Sequence, residues 1–279
     1  MLIIDCHAHL YADDPARYPV LPKPLNPPPG TGTVEHLREE SRAAGVTAVR
    51  AIQTRTYYGF DNRYLCDSAS AHPDWICGVV TLDPDNPESP AILRRQVRES
   101  GVKSLRSIPS EAHRTFDDAG VRALWRVAAE EGITIDLFLM EPAMVESAAR
   151  LLAEFPQLTA GFCHCMDLKP GAELAENLRI VLGLSRFPNL YPKVDFIATG
   201  TEEGYPCADL HQSCLEIIRA YGAERCLWGS CYPNGLWTPR VSYAEHLRIF
   251  TEALPLTEEE KRLILGENAR RIWFPDLQA

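Results

Sequence analysis

Three histidines are spaced so that they could hold a metal ion. His7 and His9 are separated by one residue and follow directly on the apolar run Leu2–Cys6. If that run is a strand, residues i and i+2 point to the same face, and both imidazoles aim one way. Neutral imidazole is a ligand for Zn, Fe or Mn. A His-x-His pair alone is a weak motif, equally compatible with a buried pair held by hydrogen bonds. The third imidazole, His164, ends another apolar run, in Gly161-Phe-Cys-His-Cys-Met-Asp167. Cys163 and Cys165 flank it. On a continuing strand they would share the opposite face and pack behind it, and no second Cys-x-Cys completes a zinc clip. Arg55 and Arg106 follow two further apolar runs. A guanidinium is a planar fork that matches a carboxylate bidentately, although an ion pair within the protein would use the same residue.

These side chains need a frame. Eight apolar, β-branched runs recur along the chain: Leu2–Cys6, Thr47–Gln53, Ile76–Val80, Val102–Leu105, Thr134–Leu139, Leu158–Cys163, Leu190–Asp195 and Cys226–Trp228. They read as continuous rather than alternating, which suits parallel strands buried on both faces. Helical periods lie between them; Val121, Leu124, Trp125 and Ala128 fall at i, i+3, i+4 and i+7. Thr257 followed by three glutamates opens a last helix. Eight strands alternating with helices predict an α/β fold, a (β/α)8 TIM barrel, with its site at the C-terminal ends of the strands. An open doubly wound sheet is the rival, but neither a GxGxxG nor a Walker A motif follows the first run. Residues 11–33 are Pro-rich with no helical period, and are expected to form a lid or wall after strand one, or else an exposed flap.

The length, 279 residues, is that of one such barrel spanning 1–279. A formal charge of −10 argues against a nucleic-acid partner. No run approaches the roughly eighteen apolar residues of a membrane span, and Met1–Cys6 lacks the basic leader and long apolar core of a signal peptide. A cytoplasmic location is expected. Nine scattered cysteines then read mostly as small buried hydrophobes.

The eighth run continues as Trp228-Gly-Ser-Cys231-Tyr-Pro233. With His7-Ala8-His9 and His164, this segment resembles the amidohydrolase superfamily, in particular the "amidohydrolase 2" branch of sugar lactonases and pyrone dicarboxylate lactonase, and more distantly aminocarboxymuconate semialdehyde decarboxylase. Tyr58–Tyr64, His72-Pro73, Pro192-Lys193-Val194 and Asn268–Trp273 fit the lactonase side. The resemblance covers nearly the whole chain. It implies the barrel, hydrolysis of a small lactone or related cyclic ester, and in many members a divalent metal, with Zn first and Mn or Fe as alternatives. Some lactonases of the group work without a metal.

One departure stands out. The family carries an aspartate, metal ligand and general base, where this chain has Cys231. Cys231 could complete a set with His7, His9 and His164 as a thiolate, act as base or nucleophile in a metal-free site, or mark a silent or repurposed barrel. Asp167, Asp195 and Asp136 are the candidates to supply the missing carboxylate, with Asp167 taken first alongside Cys231 and His164 as catalytic residues. The resemblance further suggests Arg55 and Arg106 as anchors of a substrate carboxylate, and Lys193, Tyr58 and Tyr232 as substrate contacts. Tyr57 and Trp237 could add an apolar wall. Lys103 lies too early in its strand to bridge two metals. The expected activity is metal-assisted lactone hydrolysis. Non-oxidative decarboxylation of an aromatic or muconate-type acid is the alternative within the same site, and a homo-oligomer is a further expectation.

Overall fold

The computed structural model describes residues 1–277. Seven strands, β1 (Ile4–His9), β2 (Ala48–Ile52), β3 (Ile76–Thr81), β4 (Val102–Ser107), β5 (Thr134–Leu137), β6 (Ala160–Phe162) and β7 (Leu190–Pro192), form one parallel sheet in sequence order. A helix follows each strand: Val34–Ala43, Arg63–Ala71, Ser89–Glu99, Ala119–Glu130, Val145–Glu154, Leu174–Gly183 and His211–Tyr221. Every residue of β1, β2, β3 and β6 is buried, as continuous apolar runs require. The helix Ala119–Glu130 buries Val121, Leu124, Trp125 and Ala128, the face its periodicity marked. Caps start several helices. Thr33 accepts from His36 N–H, Asp118 from Gly120 N–H, and Thr257 makes a capping box with Glu260.

The expected eighth strand, Cys226–Trp228, requires correction. The segment makes backbone contacts on both sides but forms no continuous strand. Val194 and Leu227 donate to Leu227 and Pro192 carbonyls, and Cys6, His9 and Cys231 tie the segment to β1. These reduce to two isolated bridges, Lys193–Leu227 and Ala8–Tyr232. The ladder breaks between them because the backbone dips toward β1. A Cβ on Gly229 would lie 2.6 Å from His7 Cβ, and the Asp5 carboxylate accepts both Ser230 N–H and Ser230 Oγ–H. Cys231 then turns the chain with φ +56°.

Residues 11–33 contain neither helix nor strand. Backbone bonds join Leu21 to Tyr57 and Leu25 to Thr56, and Gly32 N–H donates to Tyr232 Oη. The segment is thus pinned both at the loop after β2 and at the turn after residue 231. Among the described residues no helix is long and apolar enough to cross a membrane.

Candidate active site

The C-terminal ends of the strands surround a cleft of about 320 Å³. His9 comes from β1, Arg55 from beyond β2, Arg106 from β4, and Phe138 and Met140 from beyond β5. His164 and Asp167 follow β6, Thr199 follows β7, and Cys231 and Trp237 close the circle.

The turn after β6 has an unusual shape. Four consecutive non-glycine residues, His164 to Asp167, have φ between +44° and +62°. Left-handed backbone costs roughly 1–2 kcal/mol per L-residue, so neighbours must impose it. Asp195 Oδ1 accepts the His164 N–H at 3.1 Å, Cys165 Sγ donates to the Lys193 carbonyl, and Thr199 Oγ1 donates to Asp167 Oδ1. The turn sends His164 and Asp167 into the cleft and Cys163 and Cys165 into the interior, both fully buried. The strand does not continue through the Cys-x-Cys, so the separation of faces arises from the turn.

At the floor of the cleft four potential donors converge. Ligand atoms of His7, His164, Asp195 and Cys231 lie within 4.8 Å of one another. Asp195 Oδ2 is 3.1 Å from His7 Nδ1, Asp195 Oδ1 is 3.4 Å from His164 Nδ1, and Cys231 Sγ is 3.8 Å from His164 Nδ1. His9 stands to the other side of His7, with the two Nε2 atoms 3.3 Å apart and its own Nδ1 3.0 Å from the Ile52 carbonyl. Of the set that the sequence suggested, His7, His164 and Cys231 share this cluster with Asp195, and His9 lies beside it against His7. Asp195 lies three residues beyond the end of β7 at Pro192 and is fully buried beneath the cleft.

Burial sets the charges here. It pushes His9 down to about 3 and, with His164 and Lys193, holds His7 well below its ordinary value. Burial alone would raise the Asp195 carboxyl, but the His164 and His7 rings outweigh it and keep the group ionised. Burial and the nearby Asp195 push the Cys231 thiol well up. Two imidazoles, a carboxylate and a thiol that a cation would deprotonate make a donor set fit for a divalent ion. Two buried atoms of the cluster, His7 Nδ1 and Asp195 Oδ2, have no aligned hydrogen bond, as expected of ligand atoms.

Arg106 supplies the cleft's positive charge. It is buried, its Nε has no partner, and it makes no ion pair among the described residues. The Phe138 ring lies 5.2 Å from its guanidinium carbon. Arg55 lines the same cleft but is paired with exposed Glu111.

Other expected contacts lie elsewhere. Lys193 is fully buried, with its ammonium on Asp136, which Arg50 also binds at 2.8 Å. Asp136 and Lys193 thus form an interior ion cluster below the cleft, because their strand register points both side chains into the barrel. Tyr58 and Tyr232 use their hydroxyls to hold the 11–33 segment, through Ala12 N–H and Gly32 N–H, and neither lines the cleft. Tyr57 packs edge-on against Tyr11, while Trp237 lines the cleft. Lys103 donates to the Trp273 carbonyl, away from the mouth. Phe138, Met140 and Thr199 carry no sequence signal; the first two lie in an irregular loop and Thr199 in the short helix Phe196–Gly200, where no periodicity marks direction.

The amidohydrolase family model matches residues 4–274. Among solved structures, the chain is similar to a Pseudomonas putida protein provisionally described as a 2-pyrone-4,6-dicarboxylic acid hydrolase, at 25% identity, 99% coverage of both chains and TM-score 0.78. An amidohydrolase from Burkholderia multivorans with bound zinc is similar at 20% identity, covering 98% of this chain and 99% of that one, TM-score 0.74. The 5-carboxyvanillate decarboxylase of Sphingomonas paucimobilis is similar at 15% identity, 98% coverage of both and TM-score 0.62. No curated protein matches the chain.

Proposed function

The chain belongs to the amidohydrolase family, and on that premise we propose that it is a metal-assisted hydrolase of a small lactone or related cyclic ester bearing a carboxylate. The observation that carries this reading is one cavity that joins a cluster of metal donors to an unpartnered, buried guanidinium. Arg106 binds the substrate carboxylate, since burying a cation without a counter-charge is costly until an anion arrives. Phe138, Met140 and Trp237 cover the apolar body of the ring and exclude bulk water. A divalent ion held by the donor cluster would polarise the ester carbonyl and acidify the attacking water. The water oxygen adds to the carbonyl carbon, the ring C–O bond breaks, and the water's proton finishes on the departing alkoxide. Asp167 lines the cleft with one carboxylate oxygen on Thr199, and is placed to carry that proton. Residues 226–232 act as the eighth stave of a single barrel domain, and residues 11–33 as a fixed wall.

The neighbour described as a pyrone dicarboxylate hydrolase supports the substrate class. Protein purified without a histidine tag should contain near-stoichiometric zinc, manganese or iron. It should open carboxylated lactones in preference to uncharged ones. Ring opening by metal-free protein would remove the metal from this reading. Carbon dioxide release without ring opening would assign the decarboxylase alternative, and neither reaction with any carboxylated ring would mark a silent barrel.

A further inference from the structure

We infer that the cleft opens, past Met140 and Arg55, into an outer subsite that takes an uncharged apolar arm carried by the carboxylated ring. This rests on the reading that Arg106 anchors a ring carboxylate, and not on the ring being opened.

The cleft alone is small. Its volume of about 320 Å³ stands at the foot of the range of about 300–1,000 Å³ found for small-molecule sites. A second cavity of about 410 Å³ adjoins it. Arg55, Phe138 and Met140 line both cavities, so these three side chains form the partition between them. Phe138 is fixed, with its ring against the Arg106 guanidinium and edge-on to His164, the ring centroids 6.2 Å apart. The other two are free to move. Met140 is half-buried, and an unbranched thioether adapts its shape readily. Arg55 is held by a partly exposed ion pair with Glu111, and such pairs stabilise little. Glu111 itself stays in place, because the Asp85 carboxylate accepts the N–H groups of both Glu111 and Ala112. Arg55 is therefore the partner that swings.

The lining decides what the outer cavity holds. Ile108 and Met144 are buried there and Pro109 is half-buried, which gives an apolar surface. Its charges cancel in pairs, Arg55 with Glu111 and Arg114 with Glu141. Among the described residues no unpaired charge of either sign lines this cavity. An anionic arm would have to compete with Glu111 for Arg55, whereas an alkyl or aryl arm gains simply by leaving water. Another cavity also reaches Met140, but it suits such an arm less. Asp167 lines it and is tied to Thr199, and Lys169 and Glu173 bring charges without an ion pair among the described residues.

Calorimetry on the whole chain with benzoate, para-butylbenzoate and para-hexylbenzoate tests the subsite, beside ring opening of carboxylated lactones with and without the same arms. Binding should tighten about two- to fourfold for each added methylene. Met144→Trp fills the outer cavity. It should remove that gain and leave the affinity for benzoate itself at the wild-type value. Glu111→Gln releases Arg55, and should strengthen binding of para-(carboxybutyl)benzoate about tenfold while leaving para-butylbenzoate unchanged. Wild-type affinity that stays flat or falls with arm length would overturn the subsite. A gain that survives Met144→Trp would place the arm in another cavity and overturn it equally. Should Met144→Trp fail to fold, Glu111→Gln decides, and an unchanged affinity for the carboxylate-tipped arm counts against the subsite. Arm-dependent binding without ring opening would keep the subsite and remove the hydrolase reading. Ring opening indifferent to the arm would do the reverse.

Discussion

Two fully buried carboxylates, Asp136 and Asp195, sit in the same barrel and are treated in opposite ways. Asp136 is saturated: Lys193 and Arg50 both bind it, and Ser104 adds a hydroxyl. Burial would raise its carboxyl, but the two cations outweigh it and hold it low. Asp195 has no Lys or Arg partner among the described residues. It faces two imidazoles and a thiol, and one of its oxygens is left without an aligned bond. A closed charge cluster specifies the interior, whereas an open one waits for a further group. Each replacement below tests that distinction.

The largest effect should come from Asp136→Asn. It strands two buried cations and should cost about 3–5 kcal/mol in urea unfolding. A loss no greater than that of a surface substitution would break the view of Asp136 as a structural counter-charge. Next is Arg106→Met in the open region. Removing a hydrogen bond to a charged group costs about 1.5–3 kcal/mol, so kcat/KM for a carboxylated substrate should fall roughly tenfold to hundredfold. An uncharged lactone should be unaffected, and urea unfolding should show no loss of stability. Equal losses for both substrates would remove Arg106 from carboxylate binding.

His246 is a third solution to burial, a group kept neutral. Burial lowers it from 6.5 to about 4, against a bond to the Ser230 carbonyl. Between those values the unfolded chain binds the proton and the folded chain does not, so stability falls as pH drops through 6.5 toward 4. From pH 7.5 to pH 5 this amounts to about 2 kcal/mol. His246→Gln should flatten the urea-measured dependence by that amount, and an unchanged slope would place the linkage elsewhere. The smallest change should be the stability cost of Asp195→Asn. About 1 kcal/mol is expected, since the amide oxygen still accepts the His164 N–H and only the charge on the acceptor is lost. A penalty as large as that of Asp136→Asn would erase the difference between the two carboxylates.

Much of this was readable from the chain. The seven strands overlap the apolar runs that announced them, because a parallel strand buried on both faces has no polar alternation to hide it. His9 and Arg106 reach the cleft because they lie at the ends of strands, and His164 because it follows one, and strand ends share one rim. Lys193, Tyr58 and Tyr232 were misread for the converse reason. Whether a side chain near a strand end turns into the barrel, onto a loop or into the mouth depends on register, which residue type does not encode. The turn at His164–Asp167 left no mark at all, since left-handed backbone is usually announced by glycine and none is present there.

The sequence by itself determined the sheet order, the family, and that imidazoles, a thiol and an arginine would meet at one end of the strands. Those follow from periodicity and residue chemistry, which are local. Only the tertiary structure decided that Asp195 enters the donor cluster and Asp136 does not, and that His9 turns its Nδ1 to Ile52. Those outcomes depend on the three-dimensional direction of single lone pairs and hydrogens, set jointly by strands, a left-handed turn and a broken eighth ladder that lie far apart in the chain.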